Sequence, residues 1–491
     1  SRLGCEGGLM FVPLNAWAPD EDPTIPGIIT DCTNLVPSKR GYKSAPTGSV
    51  TGLPALAAEC RGAAMVTKID GSNILYAGTQ TKIYKAGVTS WTDVSRITSD
   101  YTGSSSSRWR FAQQGNITFA VQKTDISQFF GAAATDFADL AAMPKANLVE
   151  TWGNFVVVAD YNNGTDTPDG YATSAIADYT NWTASVTTQC VYGRLYDTPG
   201  GCSGLKAVGD YLCVFKKRSF YLGRYVGSPS VIEFSLISSI IGAVSQESIV
   251  RVGQILYFVG DDNIWAFDTA STTPIGEPIR SFFNGDCNNL YRNLTKGQHD
   301  RINGIVYWFY ARSPSVTTNA FIAYNYRTNK WGKGTVSVEA TTEYIVPASD
   351  YDTLNAAYTT YDAFPSGSYD SISQSGDSPL PAYFDTAHQI RTFTGSNSTY
   401  ELVTGDYGMD GEISLVQRVR PRYHDTPASS VLTNYYKDNE GSALTVGVAT
   451  TENNGKYDLL RSARWHRAKL AGSGDMEISG LDITAKNAGR E

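Results

Sequence analysis

Apolar positions recur along the chain in a short pattern: a glycine, one further residue, then four or five apolar or β-forming residues. The pattern reads GSNILYAG from Gly71, GNITFAV from Gly115 and GNFVVVAD from Gly153. It continues as GDYLCVF from Gly209, GQILYFVG from Gly253 and GIVYWFY from Gly304. Most copies are followed by a turn and a second β-rich run: TKIYKAG at 81–87, DISQFF at 125–130, SFYLGRYVG at 219–227, NIWAFD at 263–268 and AFIAYNY at 320–326. Each pair predicts a β-hairpin. Copies start 38 to 56 residues apart, which leaves room for two more strands per repeat. Four strands at such a period are the signature of a propeller blade. One such sheet cannot bury both faces by itself, whereas stacking blades around an axis buries them against each other. The expected fold is therefore all-β, a β-propeller of six to seven blades, with an irregular β-sandwich as the competing arrangement. Six copies are evident, and a seventh is expected near residues 388–407.

The flanks lack this repeat. Residues 1–50 are rich in Pro and turn residues and are expected to form an extended N-terminal arm with no core of its own. Residues 51–345 make the propeller core, and 346–410 a loop-rich insertion holding the last blade. Alternation returns in 411–491 as ISLVQRVRPRY, SSVLTNYYKD, SALTVGVATT, RWHRAKLAG and MEISGLDITAK, which predicts a small C-terminal β-sandwich or platform domain. Helix is scarce, with one or two turns expected between Ile279 and Asn293.

Composition supports strands and weakens several functions. The chain has 491 residues, 41% hydrophobic, with 30 Tyr, 46 Gly and 20 Pro. Only 18% are charged, against ~25% in ordinary soluble domains. The net charge of −8 is not the footprint of a protein that grips nucleic acid. The seven Cys are odd in number and form no C-x-x-C pair, so reduced thiols are expected rather than a disulfide framework. No apolar run approaches the length of a membrane-spanning helix, and Ser1 to Met10 shows no signal peptide.

Candidate chemistry is sparse. The four His are His299, His388, His424 and His466. They make no zinc spacing, and no nucleophile elbow or phosphate loop occurs. No catalytic residue, cofactor or metal is expected, and the chain reads as a non-enzyme. Asp261–Asp262 lies at a hairpin tip and reads as a turn. Two basic clusters stand out. Arg418, Arg420 and Arg422 alternate and so face one side of a strand, while Arg461, Arg464, Arg467 and Lys469 crowd RSARWHRAKL. Docking to an acidic neighbour, or ion pairing, is favoured over contact with DNA phosphate. Lys216, Lys217 and Arg218 read as an exposed hairpin tip. Trp91, Trp109, Trp182, Trp308 and Trp331 are expected between blades, with an aromatic glycan-binding shelf as the sharper alternative.

FVPLNAWAPDEDPTIPG, CTNLVPSKRGYKSAP, RWRFAQQGNITFAV, KKRSFYLGRYVG, AYNYRTNKWGKG and RSARWHRAKL, in that order, resemble the tail nozzle of short-tailed bacteriophages, also called the tail tubular or packaged-DNA-stabilisation protein. The resemblance implies a structural virion protein of the phage tail, assembled in the bacterial host cytoplasm. It implies a ring of about six copies below a portal and adaptor. It also implies docking to the head-to-tail adaptor, tail fibres and a needle or plug protein. Double-stranded DNA would pass along the ring's channel without sequence-specific binding, retained before ejection and then released. The alternative from the residues is a propeller-type glycan- or receptor-binding protein.

Overall fold

The computed structural model describes residues 8–345, 379–396 and 399–490. Within them the chain is all-β with a short helical punctuation at Arg280–Asp286. Among the described residues, seven units of four antiparallel strands follow one another. The first strands of units 1 to 6 are Ala63–Thr67, Arg110–Gln114, Lys145–Trp152, Cys202–Val208, Val250–Val252 and Lys296–Asp300. First strands of successive units pack together, except that Cys202–Val208 of unit 4 meets the turn Gln246–Ser248 ahead of unit 5, and Ala340–Tyr344 of unit 7 packs back against unit 1. The ring is a closed β-propeller.

The repeat glycines explain why the units look alike in sequence. Gly71, Gly115, Gly153, Gly209, Gly253 and Gly304 all sit in the hairpin between first and second strands, with φ between +54° and +84°. A residue with a Cβ is strained in that left-handed region, so glycine is the default there. The apolar run after each glycine is the second strand, buried on both faces between neighbouring blades. Phe155–Asn162 and Ile305–Tyr310 are examples.

Unit 7 is built differently. Its strands are Ala340–Tyr344, Leu380–Phe384 and Ile390–Gly395, and its outermost strand is Thr47–Val50 from the other end of the chain. The ring is thus closed by an N-terminal strand, and residues 346–378 of the expected insertion lie outside the described residues. The seventh copy expected at 388–407 divides. Ile390–Gly395 belongs to the propeller, whereas Thr399–Thr404 joins a second structure.

That second structure is a β-sandwich. One sheet continues unit 6 through Leu35–Pro37 and Tyr42–Ser44 into Glu477–Arg490, Glu412–Asp425 and Tyr457–Ala463, with Gly8–Pro13 on its side. The other runs Ala16–Trp17, Ile28–Thr33, Thr399–Thr404, Trp465–Ser473, Ser429–Lys437 and Thr445–Thr451. The expectation of an arm without a core is therefore corrected. Trp17, Ile29, Leu35 and Tyr42 are essentially inaccessible and share one core with Trp308, Trp331, Leu470 and Ile483. The Pro and turn residues of 1–50 break the segment into short strands that serve both structures. Tyr42 shows the join: its hydroxyl donates to the Trp331 carbonyl (3.1 Å) and accepts from the Trp17 amide (2.6 Å).

Candidate functional site

Charged groups collect at the propeller axis. Arg110 of unit 2 pairs with Glu247 (2.9 Å) on the 3-10 turn Gln246–Ser248 that leads into unit 5. Units 2 and 5 are not neighbours, so this ion pair spans the axis. Arg108 (3.9 Å) and Arg61 (3.1 Å) flank Glu59, and buried Lys296 donates to Leu294 O and Thr318 Oγ1. Burial pushes the Glu247 carboxyl up, but Arg110, Lys296 and Arg108 outweigh it and the net direction is down. Burial drives the Lys296 ammonium down to about 8, with Glu247 opposing. The Arg110–Glu247 pair ties two non-adjacent units together, so the cluster acts as a pin. Arg110→Ala should cost about 3 kcal/mol in denaturant unfolding, because it strands a mostly buried carboxylate, while the paired change R110M/E247L should come close to wild type.

A second polar assembly lies on the rim. The turn Gly260–Asn263 of unit 5 brings Asp261 and Asp262 against the helix Arg280–Asp286 and the 3-10 segment Asn289–Leu294, which lead to unit 6. The helix starts where Asp20 accepts from the Phe282 amide (3.0 Å), and Asn288 caps the 3-10 segment by accepting from Leu290 N (3.2 Å). Between them opens a pocket of about 620 Å³ lined by Asp261, Asp262, Asn284, Asn289, Arg292 and Asn293, among others. Arg292 is 5% exposed. Its Nη1 donates to Asn284 Oδ1 (2.7 Å) and Asn289 Oδ1 (3.3 Å), and its guanidinium lies 5.0 Å from the Phe283 ring centre. Its Nε and Nη2 meet no acceptor among the described residues. The two carboxylates are engaged elsewhere, Asp261 with Arg218 (2.8 Å) and Lys217 (3.4 Å), Asp262 with Arg280 (3.2 Å). Burial pushes the Asp261 carboxyl up, but Arg218 and Lys217 hold it below its usual range.

The sequence treated Asp261–Asp262 as a turn and missed Arg292. The one signal was the run NGDCNNLYRNL, where Asn crowds an Arg inside the chain's main helical stretch. Lys216 departs from its reading as an exposed tip. It is buried, and its Nζ donates to Leu195 O and to Thr198 O (2.6 Å), while Lys217 and Arg218 are exposed.

Arg418, Arg420, Arg422 and Arg461 lie on one sheet of the sandwich, Arg467 and Lys469 on the other, and Arg464 between the two strands that carry the second cluster. Arg418 pairs with Asp458 (2.9 Å) and Arg422 with Asp482 (2.8 Å), the latter lying 4.1 Å over the Phe11 ring. Arg467 pairs with Asp406 (2.7 Å) and Lys469 with Glu401 (2.9 Å). Arg461 stacks on Tyr436, and Arg464 donates to Asn439 Oδ1 (3.1 Å). Arg420 is exposed and opposite Asp482 in register. Most of this charge is thus spent on contacts within the chain.

Trp109, Trp182, Trp308 and Trp331 are buried, and Trp91 is half-buried against Phe384 with its Nε1 donating to Pro54 O (2.8 Å). No Trp shelf faces solvent among these five. The histidines are scattered. His388 lies 2.7 Å from Glu339, His299 3.2 Å from the Tyr326 hydroxyl, and His424 is exposed. His466 is fully buried beside Ser414, and burial drives its pKa down to about 4. The unfolded chain takes up this proton near 6.5 and the folded chain only near 4, so stability is held above pH 6.5 and lost on acidification between those values. The loss is about 3 kcal/mol. Urea unfolding at pH 7 and 4.5 should show it, and His466→Gln should reduce the slope without abolishing it, because burial drives His299 down to about 4 as well. The six described cysteines, Cys32, Cys60, Cys190, Cys202, Cys213 and Cys287, are buried and unpaired with one another.

No protein-family model and no curated protein matches the chain. Among solved structures it is similar to YCF48 bound to a D1 peptide, with TM-score 0.38 and 11% identity over 72% of this chain and 98% of that one. It is also similar to PorZ, a surface component of the type-IX secretion system of Porphyromonas gingivalis (TM-score 0.36, 10% identity, 68% of this chain and 38% of that one). A third is YCF48 from Cyanidioschyzon merolae (TM-score 0.36, 8% identity, 59% and 88%).

Proposed function

We propose that the chain is a non-enzymatic, propeller-type binding protein that recognises a glycan or a glycosylated receptor through the rim pocket. The observation that supports this is Arg292: a buried guanidinium, fixed at one end by two Asn and stacked on Phe283, with its other edge unmatched. Ligand sites are concave and place a few convergent polar groups in a preformed setting. A glycan array tests the reading. Saturable binding to some glycans is expected, and uniform background across the array would contradict it.

A second reading is the structural tail component of a short-tailed phage virion. What favours it is the free outer strand Val231–Ser238 of unit 4. Leu236 and Ile237 on that strand and Ile240 just after it are exposed, beside exposed Tyr225. Apolar side chains on an open strand edge suit pairing with a neighbouring copy. Because Arg110–Glu247 crosses the propeller axis, a duplex channel in this reading runs between copies. Sedimentation should then show a closed ring, and Ile240→Asp should abolish it. A monomer at every concentration would contradict this reading.

A further inference from the structure

We infer that the rim pocket selects an acidic sugar, binding its carboxylate on the Nε–Nη2 edge of Arg292 and its hydroxyls on the surrounding Asp and Asn side chains. The inference rests on the glycan-binding reading of that pocket and narrows its ligand.

Three features of the pocket point to this chemistry. The first is the geometry of Arg292. Nε and Nη2 share one edge of the planar guanidinium, and their N–H groups run parallel along it, the fork that carboxylates occupy in bidentate pairs. On Arg292 these are the two nitrogens without an acceptor among the described residues, while Nη1 is bonded twice; both are covered in the unliganded protein, so the carboxylate reaches them only as the pocket wall shifts outward. The side chain is also held still. Asn284 and Asn289 fix Nη1, and Phe283 lies under the plane, so little rotamer freedom remains to be lost when a ligand binds.

The second feature is charge. A buried guanidinium without a counter-ion is costly. Burial pushes the Arg292 pKa down, yet guanidinium stays protonated at physiological pH. The nearby carboxylates do not form its ion pair, because Arg218 and Lys217 hold Asp261 and Arg280 holds Asp262. An incoming carboxylate would supply the missing partner.

The third feature is the remainder of the lining. Asn293 offers both donor and acceptor, Asn289 keeps its amide N–H groups beyond the oxygen that holds Arg292, Asn284 is engaged at both ends, and Asp261 and Asp262 keep lone pairs beyond their ion pairs. Vicinal hydroxyls, each both donor and acceptor, match such an alternation. A volume of about 620 Å³ holds one or two sugar rings. Val244 and Leu290 are the apolar members of the lining, which leaves little to grip an apolar peptide side chain.

The test uses the full chain, isothermal titration calorimetry and two probes that differ in one group, glucuronate and glucose. Glucuronate should bind saturably, and glucose at least about ten-fold more weakly, the worth of one charge-assisted fork. Arg292→Lys keeps the charge but not the fork and should weaken glucuronate by a similar factor. Should R292K fail to fold, Asn293→Asp supplies the test, since it adds a like charge at an exposed position of the pocket lining and should weaken glucuronate by a larger factor than glucose. Equal affinity for both probes, or full glucuronate binding by the variants, would overturn the inference while leaving a glycan-binding pocket in place. Should neither probe nor any arrayed glycan bind, both the inference and the binding reading fall.

Discussion

Asp406→Asn should destabilise the protein by about 3–5 kcal/mol, the cost of breaking a buried ion pair by removing one partner. The Asp406 side chain has no solvent exposure and sits between Arg467 (2.7 Å) and Lys437 (2.8 Å), both mostly buried. Neutralising it leaves two cations in the sandwich interior without a counter-charge. The control comes from the other basic cluster. Arg418 and Asp458 are each nearly half exposed, so Arg418→Ala should change stability by less than ~0.5 kcal/mol. Chemical denaturation of the two variants distinguishes them. Similar small losses in both would mean that Arg467 is free for an external partner, as a docking residue would be.

Removal of residues 1–50 should abolish cooperative folding. The deletion takes away the closing strand Thr47–Val50 of unit 7. It also removes Trp17, Ile29, Leu35 and Tyr42 from the core shared by propeller and sandwich. Each large apolar side chain in such a core is worth ~2–5 kcal/mol, so together they exceed the ~5–15 kcal/mol by which a domain is usually stable. Differential scanning calorimetry should show no sharp transition, and supplying residues 1–50 as a separate chain should restore one. A truncated protein that melts like the full chain would show that the ring closes without this strand.

The parts of the fold that could be read from sequence are those whose physics is local. The six repeat glycines are visible because a hairpin with positive φ demands them at a fixed place before a buried strand. The seventh unit was hidden because no such hairpin joins its first two strands: residues 346–378 intervene between Ala340–Tyr344 and Leu380–Phe384. Its fourth strand comes from more than three hundred residues upstream, in a Pro-rich stretch with no repeat to announce it. A pairing of that separation leaves no trace in a short window of sequence.

The site was less legible for a related reason. Arg461, Arg464, Arg467 and Lys469 crowd together along the chain, but in the fold they turn to different faces and find different partners. Asp406, which neutralises Arg467 and Lys437, lies in an unremarkable Thr-Gly-Asp-Tyr run. Arg292 shows the converse. Only the Asn-rich run around it marks it in sequence, and its importance lies in which nitrogens the fold leaves unmatched. Charge density in sequence therefore flagged residues that pair internally, while the candidate ligand group came from burial and hydrogen-bond geometry.

A crystal structure of the full chain grown with a glucuronate-containing oligosaccharide decides whether the rim pocket binds sugar. Density for the sugar is expected in the rim pocket, with its carboxylate within hydrogen-bond reach of Arg292 Nε and Nη2 and its hydroxyls against Asp262 and Asn289. Sugar bound elsewhere, or a pocket that stays free of it at saturating concentration, would contradict the claim that this propeller is a binding protein acting through its rim.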